Sequence, residues 1–184
     1  MTDVAFDARK FRDVLGCYPT GVCVVTAQDA GGRRLGLVVG SFTSISLDPP
    51  LVGFLPDKQS QTWPAIEQTG RFCVNVLGSH QLDLCRRFSA KGDDKFGDLA
   101  HCASPSGQPL LDDALAWIDC TIERVLEIGD HWLVVGAVEA LGTQENQSPL
   151  LFFRGGYHDA VQLPMDCSPP PSGTTSDSPS CRPQ

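Results

Sequence analysis

G-S-F-T-S-I-S-L-D-P-P-L-V-G-F-L-P-D-K-Q-S-Q-T, residues 40–62, is the stretch that decides the fold. Ser41, Thr43, Ser44 and Ser46 are interleaved with Phe42, Ile45 and Leu47. That alternation fits an extended segment with one polar and one apolar face. Asp48-Pro49-Pro50 then imposes a turn, because proline fixes φ and restricts the residue before it. Leu51 to Leu55 has the length of a buried strand, and Ser60 and Thr62 stand at an expected helix start. Two hydroxyl clusters flanking one buried strand suit a neutral, many-acceptor ligand with a phosphate at one end. An edge strand whose hydroxyls bond their own backbone has the same pattern.

Working outward, Asp7 to Gly16 reads as an amphipathic helix, capped by Asp7 and closed by Gly16, with Ala8, Phe11, Val14 and Leu15 as its stripe. Gly21 to Ala27 is a first strand, and Gly31-Gly32 turns into a second at Leu35–Val39. Ser60 to Gln68 is expected to be helical, and Phe72 to Leu77 to be a strand. Ser79 is expected to cap a helix carrying Leu82, Cys85 and Phe88. Residues 89–108 show no period and read as a long loop, a kind that is often functional. Trp117–Leu126 and Trp132–Leu141 form a hairpin about Glu127–His131, and Leu150–Phe153 is a final strand. Seven or more strands with two or three short helices predict an antiparallel barrel. There is no G-x-G-x-x-G after a strand to indicate a Rossmann unit.

The 184 residues suit one domain over 1–163, followed by a Pro/Ser-rich segment at 164–184 with too little apolar content to order. Hydrophobic content of 41% and charged content of 20% are those of a globular protein. A net charge of −8, with no Lys/Arg cluster to override it, argues against a nucleic-acid surface. No apolar run approaches membrane-spanning length and no leader pattern follows Met1, so a cytoplasmic protein is expected. The eight cysteines contain no C-x-x-C, and Cys23, Cys73 and Cys120 sit in apolar strand patterns as small hydrophobes, so no metal is expected. His80, His101, His131 and His158 are scattered, and no Ser occupies a G-x-S-x-G elbow. A nucleophile–base constellation is therefore not expected.

G-S-F-T-S-I-S-L-D-P-P-L-V followed by S-Q-T-W-P-A-I resembles the flavin-binding region of the short-chain flavin reductases. These are the small reductase components of two-component flavin monooxygenases, in the flavin reductase-like, FMN-binding split-barrel family. Further matches follow in order: T-G-V-C-V-V-T-A at 20–27, G-R-F-C-V-N-V-L at 70–77, D-K-F-G at 94–97, P-L-L at 109–111, G-D-H at 129–131 and P-L-L-F-F-R-G-G-Y at 149–157. The series covers roughly residues 8–163.

The resemblance implies a mainly β Greek-key split β-barrel, usually an obligate homodimer with flavin sites near the subunit interface. It implies an NAD(P)H:flavin oxidoreductase that reduces FMN or FAD and hands diffusible reduced flavin to a separate monooxygenase. Ring and ribityl chain would lie along Ser41, Phe42, Thr43, Ser44 and Ser46, and the phosphate near Ser60 and Thr62. Lys95 and Phe96 would close the site, with Lys91 a lesser phosphate candidate; as loop residues the two lysines read equally as solvated charges. Asn75 could bond the flavin or a neighbouring backbone. His131 would meet the nicotinamide, and Tyr157 would line its pocket or simply close the barrel, while Asp130 would fix the turn. Val38-Val39-Gly40 departs from the small or polar residues common there, leaving FMN and FAD both open. No basic residue stands out as a reader of a 2′-phosphate, which favours NADH over NADPH. Two other functions fit the same residues: a flavin carrier without reductase activity, and a flavoenzyme with tightly held flavin and its own substrate.

Overall fold

The computed structural model describes residues 7–92, 95–144 and 147–161. The expected tail from 164, with Cys167 and Cys181, lies outside the described residues. In chain order the elements are α1 (Ala8–Leu15), β1 (Thr20–Gly21), β2 (Cys23–Gln28), β3 (Arg34–Val39), β4 (Thr43–Leu47), β5 (Pro50–Phe54), α2 (Trp63–Thr69) and β6 (Arg71–Val76). A 3₁₀ turn at Ser79–Gln81 leads into α3 (Leu82–Ser89), and then come β7 (His101–Ala103), β8 (Pro109–Leu111), β9 (Ala116–Ile128), β10 (His131–Thr143), β11 (Leu150–Phe153) and β12 (Gly156–Asp159).

The main sheet has seven strands in the order β3-β2-β6-β9-β10-β5-β4, with every adjacent pair antiparallel. Its two edge strands, β3 and β4, are consecutive in the chain. Val39 and Thr43 are four steps apart, a reach of at most about 14 Å. Seven strands laid flat would separate their edges by about 29 Å. The sheet must therefore curl until its edges meet, with chain rather than a ladder joining them. The residues that force this closure, Gly40-Ser41-Phe42, open the stretch from which the fold was read.

Inside the barrel, Phe54 meets Trp63 edge-on at 5.6 Å and Phe72 at 5.3 Å. Val25, Ile66, Val74 and Val134 fill the space around them without solvent exposure. A second cluster, Val24, Leu77, Cys85, Phe88, Phe96 and Leu111, packs α3 against the outside of β3 and β2. Cys23, Cys73, Cys85 and Cys120 are buried as small hydrophobes; burial pushes the Cys23 and Cys120 thiols up to about 12 and raises Cys73 as well. Cys17 and Cys102 are exposed instead. No helix among the described residues is long and apolar enough to cross a membrane.

Several local expectations are corrected. The helix expected from Ser60 begins at Trp63; Ser60 Oγ accepts from the Trp63 N–H at 3.2 Å, and Thr62 makes no side-chain cap. Ser79 does not cap α3 either, because the 3₁₀ turn intervenes and the Gln81 side chain takes the Gly78 N–H at 3.0 Å. The expected loop at 89–108 contains β7, which pairs with β8. The strand expected over Gly21–Ala27 is two, since β1 pairs with β11 while β2 joins the main sheet. After β11 the chain turns once more: Arg154 and Gly155 have φ of +48° and +76°, the two-residue arrangement that matches strand twist, and β12 folds back on β11.

Candidate functional site

A cleft of about 470 Å³ opens where β3, the start of α2 and the segment after α3 come together. It is lined by Arg33, Arg34, Leu35 and Gly36 from β3 and its turn, Gln59, Gln61, Thr62 and Ala65 around α2, and Lys91, Gly92 and Lys95 beyond α3. The described lining residues thus carry four cations and no carboxylate, in a chain whose net charge is −8. Arg33 is partly neutralised by Asp29, at 3.3 Å. Arg34 and Lys95 are held otherwise. Arg34 lies 5.7 Å from the Phe96 ring centre and donates through Nη1 to His101 Nε2 at 2.8 Å. Lys95 donates to the Phe88 carbonyl at 2.7 Å, and desolvation lowers its pKa from the ordinary lysine value. The cleft is built for an anion with several acceptor oxygens, such as a phosphate ester.

Thr62, Lys91 and Lys95 line one cleft. Ser60 is used locally, on the Trp63 N–H. With α2 only seven residues long and no side-chain cap at Thr62, the cleft draws its charge from cations rather than from a helix terminus. Phe96 is buried in the second cluster, edge-on to Phe88 at 5.2 Å; it backs Arg34 rather than closing the cleft. Asn75 takes the backbone alternative. Fully buried, it accepts from Leu111 N–H at 2.8 Å and donates to the Val24 carbonyl at 3.2 Å and Thr26 Oγ1 at 3.0 Å. Its Nδ2 hydrogens and one Oδ1 lone pair are taken up by β2, β6 and β8, and the residue has no solvent-exposed surface.

Along the edge strand, Thr43 and Ser44 are exposed and Ser46 is half-buried. Ser41 instead staples the barrel seam, accepting from Leu55 N–H at 2.9 Å, and Phe42 packs against the barrel core. An exposed hydroxyl strand on one side of the seam and a cationic cleft beside the strand on the other have the donors that a phosphorylated, polyhydroxylated ring system needs. The residues present fit a flavin nucleotide.

His131 and Tyr157 lie elsewhere. His131 Nδ1 donates to Asp130 Oδ1 at 2.7 Å, which holds Asp130 below the usual carboxylate range; the ring stays partly exposed, and Nε2 has no hydrogen-bond partner among the described residues. The turn is fixed from below by Lys58, which donates to the Gly129 carbonyl and pairs with Glu127. Tyr157 lines a smaller recess of about 280 Å³ with Ser79, His80, Leu82, Leu150, His158 and Asp159. Its hydroxyl lies 3.4 Å from Cys85 Sγ, a contact that, with burial, raises its pKa. Neither residue lines the cationic cleft.

Arg33, Arg34, Gln59, Gln61 and His101 were not anticipated. Arg33-Arg34 was visible as a basic pair after a Gly-Gly turn, and Gln61 lies inside the S-Q-T-W match, but nothing local tied them to Lys91 and Lys95.

Residues 15–160 match the family model described as flavin reductase like domain. A flavin reductase of Pseudomonas putida is 54% identical over 153 residues, covering 83% of this chain and 90% of that protein. The reductase subunit of a flavin-dependent monooxygenase from Rhodococcus jostii is 46% identical, covering 83% and 78%. Among solved structures, the NADH:FAD oxidoreductase of Streptomyces globisporus, in complex with NAD and FAD fragments, superposes with a TM-score of 0.79 at 31% identity, covering 88% of this chain and 96% of that one. The fold is the mainly β split barrel expected, and the chain belongs to the flavin reductase like domain family.

Proposed function

We propose that this chain is the reductase component of a two-component system, taking hydride from NADH, reducing FMN or FAD, and releasing the reduced flavin to a separate monooxygenase. The carrying observation is the cationic cleft of Arg34, Lys91 and Lys95 in a flavin reductase fold that also exposes the β4 hydroxyls of Thr43 and Ser44.

A bound flavin would supply the two-electron acceptor, and the chain's residues bind and orient it. Arg34, Lys95 and Thr62 hold the phosphate. Thr43, Ser44 and Ser46, with the backbone of the β4 edge, hold the polar rim of the ring and ribityl chain. His131, steered by Asp130, presents Nε2 to the carboxamide or phosphates of the nicotinamide nucleotide. Hydride transfer between a bound nicotinamide and a bound flavin would call for positioning of the two rings and for no side-chain nucleophile or base. Reduced flavin has to leave, so an open, solvent-facing cleft serves transfer by diffusion better than a closed cavity does.

A second copy of the chain completes the working unit. The β9–β10 hairpin leaves Leu126, Ile128 and Leu141 exposed, and α1 buries no residue while exposing Phe11, Val14 and Leu15. Apolar area of that extent fits a homodimer.

The deciding measurement is NADH oxidation by the purified protein with and without added FMN or FAD. Turnover that rises with free flavin is expected. Its absence with both flavins and with both NADH and NADPH would overturn the reading, and binding without turnover would leave a carrier. A yellow protein that keeps its flavin through dilution would favour a self-contained flavoenzyme.

A further inference from the structure

We propose that His101 is a positioning residue that aims Arg34 at the flavin phosphate. This rests on reading the cationic cleft as the flavin-phosphate site.

His101 opens β7, and its ring is tied at both nitrogens. Nδ1 lies 2.8 Å from the Leu99 carbonyl, which can only accept, so Nδ1 carries the hydrogen. Nε2 lies 2.8 Å from Arg34 Nη1, which can only donate, so Nε2 presents its lone pair. The partners therefore select one neutral tautomer. The ring also stands edge-on to Phe96 at 5.7 Å, and Phe96 in turn lies 5.7 Å from the Arg34 guanidinium carbon. Arg34 is thus held by an aromatic face and an acceptor, both uncharged. Among the described residues its charge is not spent on a carboxylate in the way that Arg33 is spent on Asp29, and only one guanidinium donor is committed to His101.

The support for His101 reaches the centre of the fold. His101 pairs with Leu111 across the β7–β8 hairpin. The Leu111 N–H is bonded to the buried Asn75, and the Pro109 carbonyl accepts from the buried Thr26. An arginine on an open strand would sample many rotamers. Here the entropy of ordering it is met on folding rather than on binding, which is where pre-organisation gains affinity.

The experiment compares dissociation constants for FMN and for riboflavin, which has the same ring and no phosphate, by flavin fluorescence quenching. The full chain is used as wild type, H101F, H101Q, R34M and R34M/H101F. His101→Phe keeps an aromatic ring beside Phe96 and removes the acceptor; His101→Gln restores one. H101F is expected to weaken FMN about tenfold while moving riboflavin less than about twofold, as loss of one charge-assisted contact implies. H101Q should recover most of the loss, and H101F should add less than about twofold in the R34M background. Equal weakening of FMN and riboflavin would reduce His101 to a general structural role and overturn the proposal. So would additive effects in R34M/H101F. If R34M leaves FMN untouched but weakens NADPH relative to NADH, the cleft reads a nicotinamide 2′-phosphate and the proposal also fails. Riboflavin reduction by NADH in the wild type would keep the reductase reading standing through any of these failures.

Discussion

The ring of Phe88 occupies the space that a side chain on Gly36 would need: a Cβ there would stand 2.2 Å from Phe88 Cε1 and 2.4 Å from Cδ1. This contact seats α3 on β3, and the Phe88 carbonyl then anchors Lys95 at the rim of the cleft that Gly36 lines. Gly36→Ala should displace α3 and cost about 1–3 kcal/mol by overpacking. Urea unfolding measures the cost, and FMN titration should show weaker binding in the same variant. Unchanged stability would mean that Phe88 swings aside freely and that the seat is not rigid.

Lys95→Met should weaken FMN about tenfold and riboflavin little, because a desolvated ammonium is lost from a phosphate site. Lys95 binds the anion in its protonated form, and its pKa is lowered by burial. The advantage of FMN over riboflavin should therefore hold on the acid side and fall as pH rises through that lowered pKa, earlier than for a solvated lysine. A wild-type ratio that stays flat into the alkaline range would remove Lys95 from the phosphate site.

His131→Ala should raise the KM for NADH about 5–10-fold with the FMN dissociation constant unchanged, since one hydrogen bond to the nicotinamide nucleotide is lost. Steady-state kinetics paired with flavin titration separates the two effects. A variant that loses flavin rather than NADH affinity would place His131 on the other cofactor.

Asn75→Leu should destabilise the fold by about 2–4 kcal/mol, because the Leu111 N–H and its neighbours lose buried partners. The residual folded protein should bind riboflavin with wild-type affinity. A selective loss of flavin binding in a stable variant would contradict the structural role that its buried hydrogen bonds give Asn75.

Leu126→Glu combined with Ile128→Glu should convert a dimer to monomer in sedimentation, by placing charge on the exposed end of the β9–β10 hairpin. A wild-type protein that sediments as a monomer would overturn the expectation of a second copy on this face.

What could be read from the sequence was whatever depends on near neighbours. The Asp7 cap, the strands at 51–55 and 72–77 and the long hairpin around residue 129 are written in local periodicity and turn chemistry, and all appear; residues 43–47 form the expected strand, but a register shift at Ser44–Ser46 leaves Ile45 and Leu47 exposed rather than on a buried face. The strand after Arg154-Gly155 was missed because its four residues, Gly-Tyr-His-Asp, show no apolar alternation; only its pairing with β11 makes it a strand. The start of α2 was placed early because Ser60 does accept a backbone N–H, but as the local partner of Trp63 rather than as a helix cap.

The sequence by itself determined a mainly β chain with its hydroxyl strand and its lysine-bearing segment in a family order. The tertiary structure alone decided which of these residues share a site. Arg34 and His101 are 67 residues apart, and Asn75 and Leu111 are 36 apart. Periodicity sets which face a residue takes and is felt over a few residues. A hydrogen bond of 2.8 Å between distant segments is decided by how the sheet curls and where its edges close, and only the folded barrel contains that information.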